Sequence, residues 1–169
     1  MFKRTLTGRV TLRLEEFEKN VLENFVLEFV ALLGDVEQEV HSDPLAQLLG
    51  MDGPTEISSD PAIARLFPNA YVDDEEAASD FRRYTEPELR SDKVSAAKVV
   101  LESLVLDSDK ITLSDIEQKA WLSTLNDLRL VLGVRLNITA GQREDSEEPL
   151  FQVYDWMTWL QGTLIESLD

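Results

Sequence analysis

The sequence predicts a single, mainly α domain: an antiparallel helical bundle with a small β-hairpin or strand at its N-terminus. Apolar residues recur at helical spacing through four long segments joined by modest loops. Only residues 1–14 alternate apolar and polar side chains, which is the strand pattern. We therefore expect one domain over 1–169, with a helical body over 15–136, a mobile acidic loop over 137–148 and a C-terminal helix over 149–169.

The composition bounds the classes of partner. The 169 residues include 16 Lys and Arg against 33 Asp and Glu, for a net charge of −17. Such a surface repels phosphate backbones and anionic lipid, so we expect no direct nucleic-acid binding and no membrane association. The N-terminus lacks a signal-peptide pattern and no apolar run is long enough to span a bilayer, which favours a cytoplasmic protein. The chain has no cysteine, so thiolate metal sites and thiol redox switches are excluded within it.

The N-terminal segment is basic. Residues 2–6 and 9–14 alternate apolar and polar side chains around Gly8, which predicts a hairpin that must lie on the helices because two strands alone are marginal. The first 13 residues carry four cations and no acid. Either this basic ribbon docks on the acidic body of its own chain, or it contacts an acidic partner.

The first half of the helical body begins with a long helix. Residues 15–34 have a wide apolar face, which predicts a central helix contacted by several others. Asp43 with Pro44, and Asp60 with Pro61, are start signals for two short helices, the first ending near Gly50.

A charged stretch over 65–90 follows. An acidic run that begins at Asp73 can cap a short helix, and Arg82 and Arg83 fall in its last turn. Residues 85–88 resemble a capping box with a proline in the first helical turn. We therefore predict a break before Pro87 and a new helix beyond it.

The second half contains two more long helices. Thr112 is predicted to cap a helix that extends to Leu136, and its core face includes Ile116, Trp121 and further leucines. Pro149 is predicted to open the last helix, whose seam is Leu150, Val153, Met157, Leu160, Leu164 and Leu168.

Four charged residues form a candidate structural network or anion site: Asp80, Arg82, Arg83 and Asp127. Aromatic residues flank the arginine pair, so at least one guanidinium should lie near the core, where it needs a carboxylate partner. One interpretation is an internal salt-bridge network that holds the short helix on the bundle. The other is a pocket of Arg82, Arg83 and Asp127 that binds an anion or small ligand, or acts as an enzyme. No glycine-rich phosphate loop supports this second interpretation.

No other pattern predicts catalysis. The acidic run over 73–76 lacks the ligand spacing of a calcium loop. His41 is the single histidine and has Gln38 three residues before it, which excludes the Glu-x-x-His pairs of a di-iron bundle. We therefore expect no catalytic, metal-binding or cofactor-binding residue and no enzyme activity.

Trp156 and Trp159 form a second aromatic side on the last helix. They are either buried under the N-terminal β element or exposed as an interaction surface, because aromatic residues concentrate at interface hot spots. Such a surface would serve a protein partner or a homodimer without a disulfide.

Three segments together resemble a known family: RLFPNAYVDDEEAASDFRRYTEPELR, LSTLNDLRLVLGVRL and YDWMTWLQGTLIESL. The resemblance covers residues 10–168 and is to the AosR family, actinobacterial transcriptional regulators of the oxidative-stress response, formerly a domain of unknown function. It implies a cytoplasmic protein that acts through protein–protein contact, with a sigma factor as the partner. It also implies a weaker alternative, an adaptor linked to Clp proteolysis. Cysteine-dependent dimerisation, which the resemblance also implies, cannot operate here because the chain has no cysteine.

Overall fold

The structure is a computed structural model that describes residues 1–34, 53–105, 110–138 and 148–168. The elements in these ranges are, in order, β1 (Phe2–Arg4), β2 (Val10–Arg13), α1 (Glu16–Gly34), α2 (Pro61–Leu66), α3 (Glu75–Leu104), β3 (Lys110–Leu113), α4 (Asp115–Arg135) and α5 (Pro149–Leu168). The predicted mainly α fold is confirmed. His41, the predicted short helix at 44–50 and most of the predicted 137–148 loop lie outside the described residues. None of the helices in the described ranges is both long and apolar enough to cross a membrane.

Helix α4 occupies the centre of the domain. It packs against α3, α5, α2, α1 and β3. Trp121 on α4 is completely buried, donates from Nε1 to Ser103 Oγ at 3.0 Å and meets the Phe2 ring edge to face at 5.5 Å. The predicted central position belongs to α4 rather than to α1, whose main contacts within the described ranges are with α3 and α4. The fully buried residues of α1 are Leu22, Val26, Phe29 and Leu33.

The N-terminal hairpin is part of a three-stranded antiparallel sheet in the order β1-β2-β3. One inward row joins Phe2, Leu12 and Ile111. The predicted helix cap at Thr112 was wrong. Residues 110–113 alternate exposed and buried side chains and form a third strand, which pairs with the free edge of β2. Ser114 caps α4 instead, in a capping box with Glu117.

The sheet rests on the C-terminal helix. Strand β1 packs against α5, where the Phe2 N–H donates to Thr163 Oγ1 at 3.3 Å. The apolar side chains of β1 and β2 are buried, so the hairpin docks on the body of its own chain, as one of the two interpretations proposed. Its cations remain exposed on the outside: Lys3, Arg4, Arg9 and Arg13.

Helix α3 runs without interruption through Pro87, so the predicted break and second helix start were wrong. Asp74 caps this helix, accepting from the Ala77 N–H at 2.9 Å. Proline inside a helix costs about 3 kcal/mol because it removes a hydrogen bond and crowds the preceding turn. Burial continues on one face of α3 on both sides of Pro87, and this shared face offsets that cost. Gly53 lies against the carbonyl of Arg83. This carbonyl receives no helical hydrogen bond from Pro87, because proline has no backbone N–H.

We expect Gly53→Ala to destabilise the fold by about 1–3 kcal/mol, the usual cost of overpacking. A Cβ at Gly53 would lie 2.1 Å from Arg83 O and 2.9 Å from Pro87 Cγ, so backbone would have to move. The matched control is Gly162→Ala in α5, where a Cβ meets nothing within 4 Å and alanine is the better helix former. Urea unfolding of both variants would check this. Equal stability of Gly53→Ala and the native chain would contradict the close approach.

Candidate functional site

Three charged side chains occupy successive turns on the buried face of α3. Arg82, Glu86 and Arg90, called here the ionic stripe, follow at intervals of four residues. Glu86 is only 5% exposed and Arg82 only 7%. Glu86 Oε1 accepts from Arg90 Nη2 at 2.6 Å, and Oε2 lies 3.6 Å from Arg82 Nε. One carboxylate therefore balances two guanidinium groups away from water.

The ionic stripe also joins distant segments of the chain. Arg82 donates to the Thr55 carbonyl at 3.3 Å and to Asn69 Oδ1. Arg90 donates to the Leu33 carbonyl at 3.0 Å, near the end of α1. These carbonyl and amide oxygens accept from guanidinium N–H groups that are not paired with Glu86. The stripe thus fastens α1 and the segments before and after α2 to one side of α3.

A second ion pair, largely buried, joins α3 to α4. Lys93 Nζ donates to Asp127 Oδ1 at 2.8 Å, and Phe67 lies beneath both Arg90 and Lys93. The other carboxyl oxygen of Asp127 is buried and has no hydrogen-bond partner among the described residues, and the same holds for Thr124 Oγ1. Burial raises the pKa of Asp127 above its ordinary value of 3.8, and the neighbouring Lys93 ammonium opposes this only in part.

The structure does not bring the four predicted residues into one place. Arg82 is in the ionic stripe, whereas Asp127 pairs with Lys93. Asp80 is exposed and Arg83 is half-buried. No hydrogen bond or ion pair within the described ranges joins any two of the four. Arg82 has its donors occupied by chain groups, and this geometry resembles an internal network more than an open anion pocket.

The sequence pattern required a carboxylate partner for a buried arginine but did not predict the stripe. The signal was present, because Arg82, Glu86 and Arg90 have the spacing of helical neighbours. A helix start placed at Pro87 divided that pattern between two helices. The Lys93–Asp127 pair had no comparable signal, since its members belong to different helices.

No group of three or more acidic or histidine side chains within the described ranges is placed to hold a metal ion. An open cleft between α4 and α5 is lined by Lys119, Leu122, Ser123, Asn126, Gln161 and Ile165. None of the four predicted residues lines it.

The two C-terminal tryptophans have different environments. Trp156 is half-buried against the core, whereas Trp159 is 48% exposed. The predicted interaction surface on this helix therefore has one exposed tryptophan rather than two.

Another exposed apolar surface lies at the start of α3. Tyr71 and Phe81 meet edge to face at 6.0 Å, and Tyr84 lies one helical turn after Phe81. Acidic residues lie close to these aromatic residues in the chain, at positions 73–76 and 80. The surface, called here the aromatic–acidic patch, consists of nine exposed residues: Tyr71, Val72, Asp73, Asp74, Glu75, Glu76, Asp80, Phe81 and Tyr84.

Comparison with known proteins gives the family. The model of a domain of unknown function, DUF2017, matches residues 1–168. The chain belongs to this family. A putative oxidative stress regulator AosR of Mycobacterium leprae is 33% identical to it, over 89% of this chain and 78% of the relative. The oxidative stress regulator AosR of Mycobacterium tuberculosis is 32% identical, over 88% of this chain and 77% of the relative. No solved structure matches the chain.

In this DUF2017 protein we expect Glu86→Gln to lower the free energy of unfolding by about 3 kcal/mol or more, because two buried guanidinium groups lose their counter-charge. Glu88→Gln is the matched control. It makes the same chemical change two residues along the same helix, at an exposed position, and should stay within about 0.5 kcal/mol of the native chain. Chemical denaturation followed by circular dichroism measures both. Similar effects of the two substitutions would mean that Glu86 does not balance the stripe.

Asp127 should make stability depend on pH. Because its pKa is raised in the folded state, the folded chain holds this proton more tightly than the unfolded chain does. The resulting stabilisation is complete below the ordinary value of 3.8 and is lost as pH rises through the raised value. The free energy of unfolding of the native chain minus that of Asp127→Asn should therefore fall with rising pH in that window. The slope cannot exceed about 1.4 kcal/mol per pH unit.

Denaturation of both chains over a series of pH values measures this difference. Taking the difference cancels the pH dependence of stability that the rest of the acidic surface contributes to both chains. A difference that increased with pH would contradict a raised pKa for Asp127.

Proposed function

We propose that this protein regulates the oxidative-stress response by contact with a component of the transcription machinery, a sigma factor, in the cytoplasm. The observation that carries the proposal is the likeness, over nearly nine tenths of the chain, to proteins named oxidative stress regulators. The net charge of −17 supports contact with protein rather than with DNA, because it attracts basic surfaces and repels phosphates.

We also propose that the protein acts by binding a partner rather than by catalysis. Arg82 and Asp127 have separate partners in the structure, so the residues of the alternative anion or enzyme pocket do not converge. No feature of the described residues favours the alternative role, an adaptor in Clp proteolysis. Self-association without a disulfide also stays a prediction.

We expect the tagged protein, isolated from peroxide-treated cells of its own host, to carry a sigma factor or RNA polymerase subunits that mass spectrometry identifies. It should not shift DNA in a mobility assay at physiological salt, because its surface repels phosphates. The control is an unrelated tagged protein of similar size and net charge, which separates specific capture from general attraction to basic proteins. Absence of every transcription component, with and without peroxide, would overturn the proposal.

A further inference from the structure

We propose that the aromatic–acidic patch is the docking surface of this protein, and that its occupant is a basic amphipathic helix of a partner protein. This inference rests on the proposed function, because it names the surface and the kind of partner through which that function would operate.

The apolar part of the patch is a group of rings rather than scattered single residues. Phe81 is 44% exposed and Tyr84 52% exposed, and Tyr71 lies against Phe81. Val72, beside Tyr71 in the chain, is almost fully exposed. Exposed apolar side chains on a monomer are ordinarily dispersed, whereas contiguous ones mark contact sites. Tyrosine and phenylalanine contribute large contact areas with few rotatable bonds, so they serve as anchors.

The acidic part of the patch determines the sign of the partner's charge. Five carboxylates belong to it: Asp73, Asp74, Glu75, Glu76 and Asp80. None of them forms an ion pair within the described ranges, although Asp74 accepts the capping hydrogen bond. Glu76, Asp80 and Tyr84 follow at intervals of four residues, so acids border the rings along one side of α3. Arg83 lies beside this row and is half-buried. Its single positive charge is outnumbered by the five carboxylates, so the local charge stays strongly negative.

The patch is also held rigid, which lowers the entropic cost of binding. Phe81 and Tyr84 lie in the same two turns of α3 as Arg82 and Glu86, whose side chains are buried on the other side. Arg82 donates to Asn69, two residues before Tyr71, and so ties the segment that carries Tyr71 to α3. The cap at Asp74 fixes where the helix begins. A partner would therefore meet a preformed surface.

An α-helix is the element that matches this shape and charge. A straight helical surface with apolar side chains one turn apart accepts the apolar side of a second helix, with residues spaced at i, i+3, i+4 and i+7. Lysine and arginine on the borders of that helix would face the carboxylates of the patch. The exposed face of the N-terminal hairpin is basic and would repel such a partner: Lys3, Arg4, Arg9 and Arg13.

The test uses a defined probe, a helical peptide with leucine on one face and lysine on the other, and a second peptide with glutamate in place of lysine. Binding to the full chain is measured by fluorescence anisotropy. We expect Phe81→Ala with Tyr84→Ala to weaken binding of the lysine peptide at least about tenfold, as loss of aromatic anchors does. Ile116→Ala with Phe17→Ala removes two exposed apolar side chains elsewhere and should leave binding unchanged.

A second pair of variants separates local charge from net charge. Glu76→Gln with Asp80→Asn removes two charges from the patch, and Glu28→Gln with Glu102→Gln removes two exposed charges elsewhere. Both proteins have the same net charge, so general attraction to a basic peptide changes equally. We expect only the first pair to lower affinity substantially. Equal effects of the patch and control variants, or equal binding of the glutamate peptide, would overturn the inference.

The isolation from peroxide-treated cells, repeated with Phe81→Ala and Tyr84→Ala, separates this inference from the proposed function. Loss of the captured sigma factor or polymerase subunits supports the surface. If the native chain captures them and this variant does so equally, the surface is wrong and the function stands. If the native chain captures none, the proposed function fails, and the peptide measurements still decide the surface. Native chains that light scattering shows to associate through the patch would make a second copy the occupant, which overturns the inference.

Discussion

The buried carboxylate of Glu86 is the centre of the ion-pair network that joins several segments of the chain to α3. Glu86 lies between Arg82 and Arg90, and the two arginines donate to backbone or amide oxygens before and after α2 and at the end of α1. Removing one member of such a network is costly, whereas replacing the whole network with apolar side chains need not be. The network therefore acts mainly to specify how the segments fit together. Each arginine can satisfy its donors in one arrangement of its neighbours, and other packings would leave buried donors unpaired.

The same turns of α3 serve two purposes. Arg82 and Glu86 point into the domain, and Phe81 and Tyr84 point out of it. A change that rotated or shifted this part of the helix would disturb the buried network and the exposed rings together. Packing thus fixes the position of the surface that we propose for recognition, and the surface does not need to order itself when a partner arrives.

The sequence was sufficient for elements whose signals are local. The Asp60 cap and Pro61 at the first position of α2, and Pro149 at the first position of α5, are short patterns with a direct physical meaning. Pro87 has the same local meaning, but there the shared buried face of α3 prevailed over the preference of one residue. Strand β3 was missed because its alternation spans only four residues and its partner, β2, is far away in the chain. The Lys93–Asp127 pair likewise depends on how two helices meet, which no local pattern records.

The sheet has a consequence for the order of events during synthesis. Strand β2 pairs with a strand that follows it by roughly a hundred residues, and β1 rests on α5, which is synthesised after the other described elements. Until those segments leave the ribosome, Phe2, Val10 and Leu12 have no cover and the edge of β2 has no partner. Residues 2–13 are therefore synthesised well before the segments that cover them, and they are among the last to reach their final environment. Chaperones that hold short apolar strands would have the longest opportunity to act at this end of the chain.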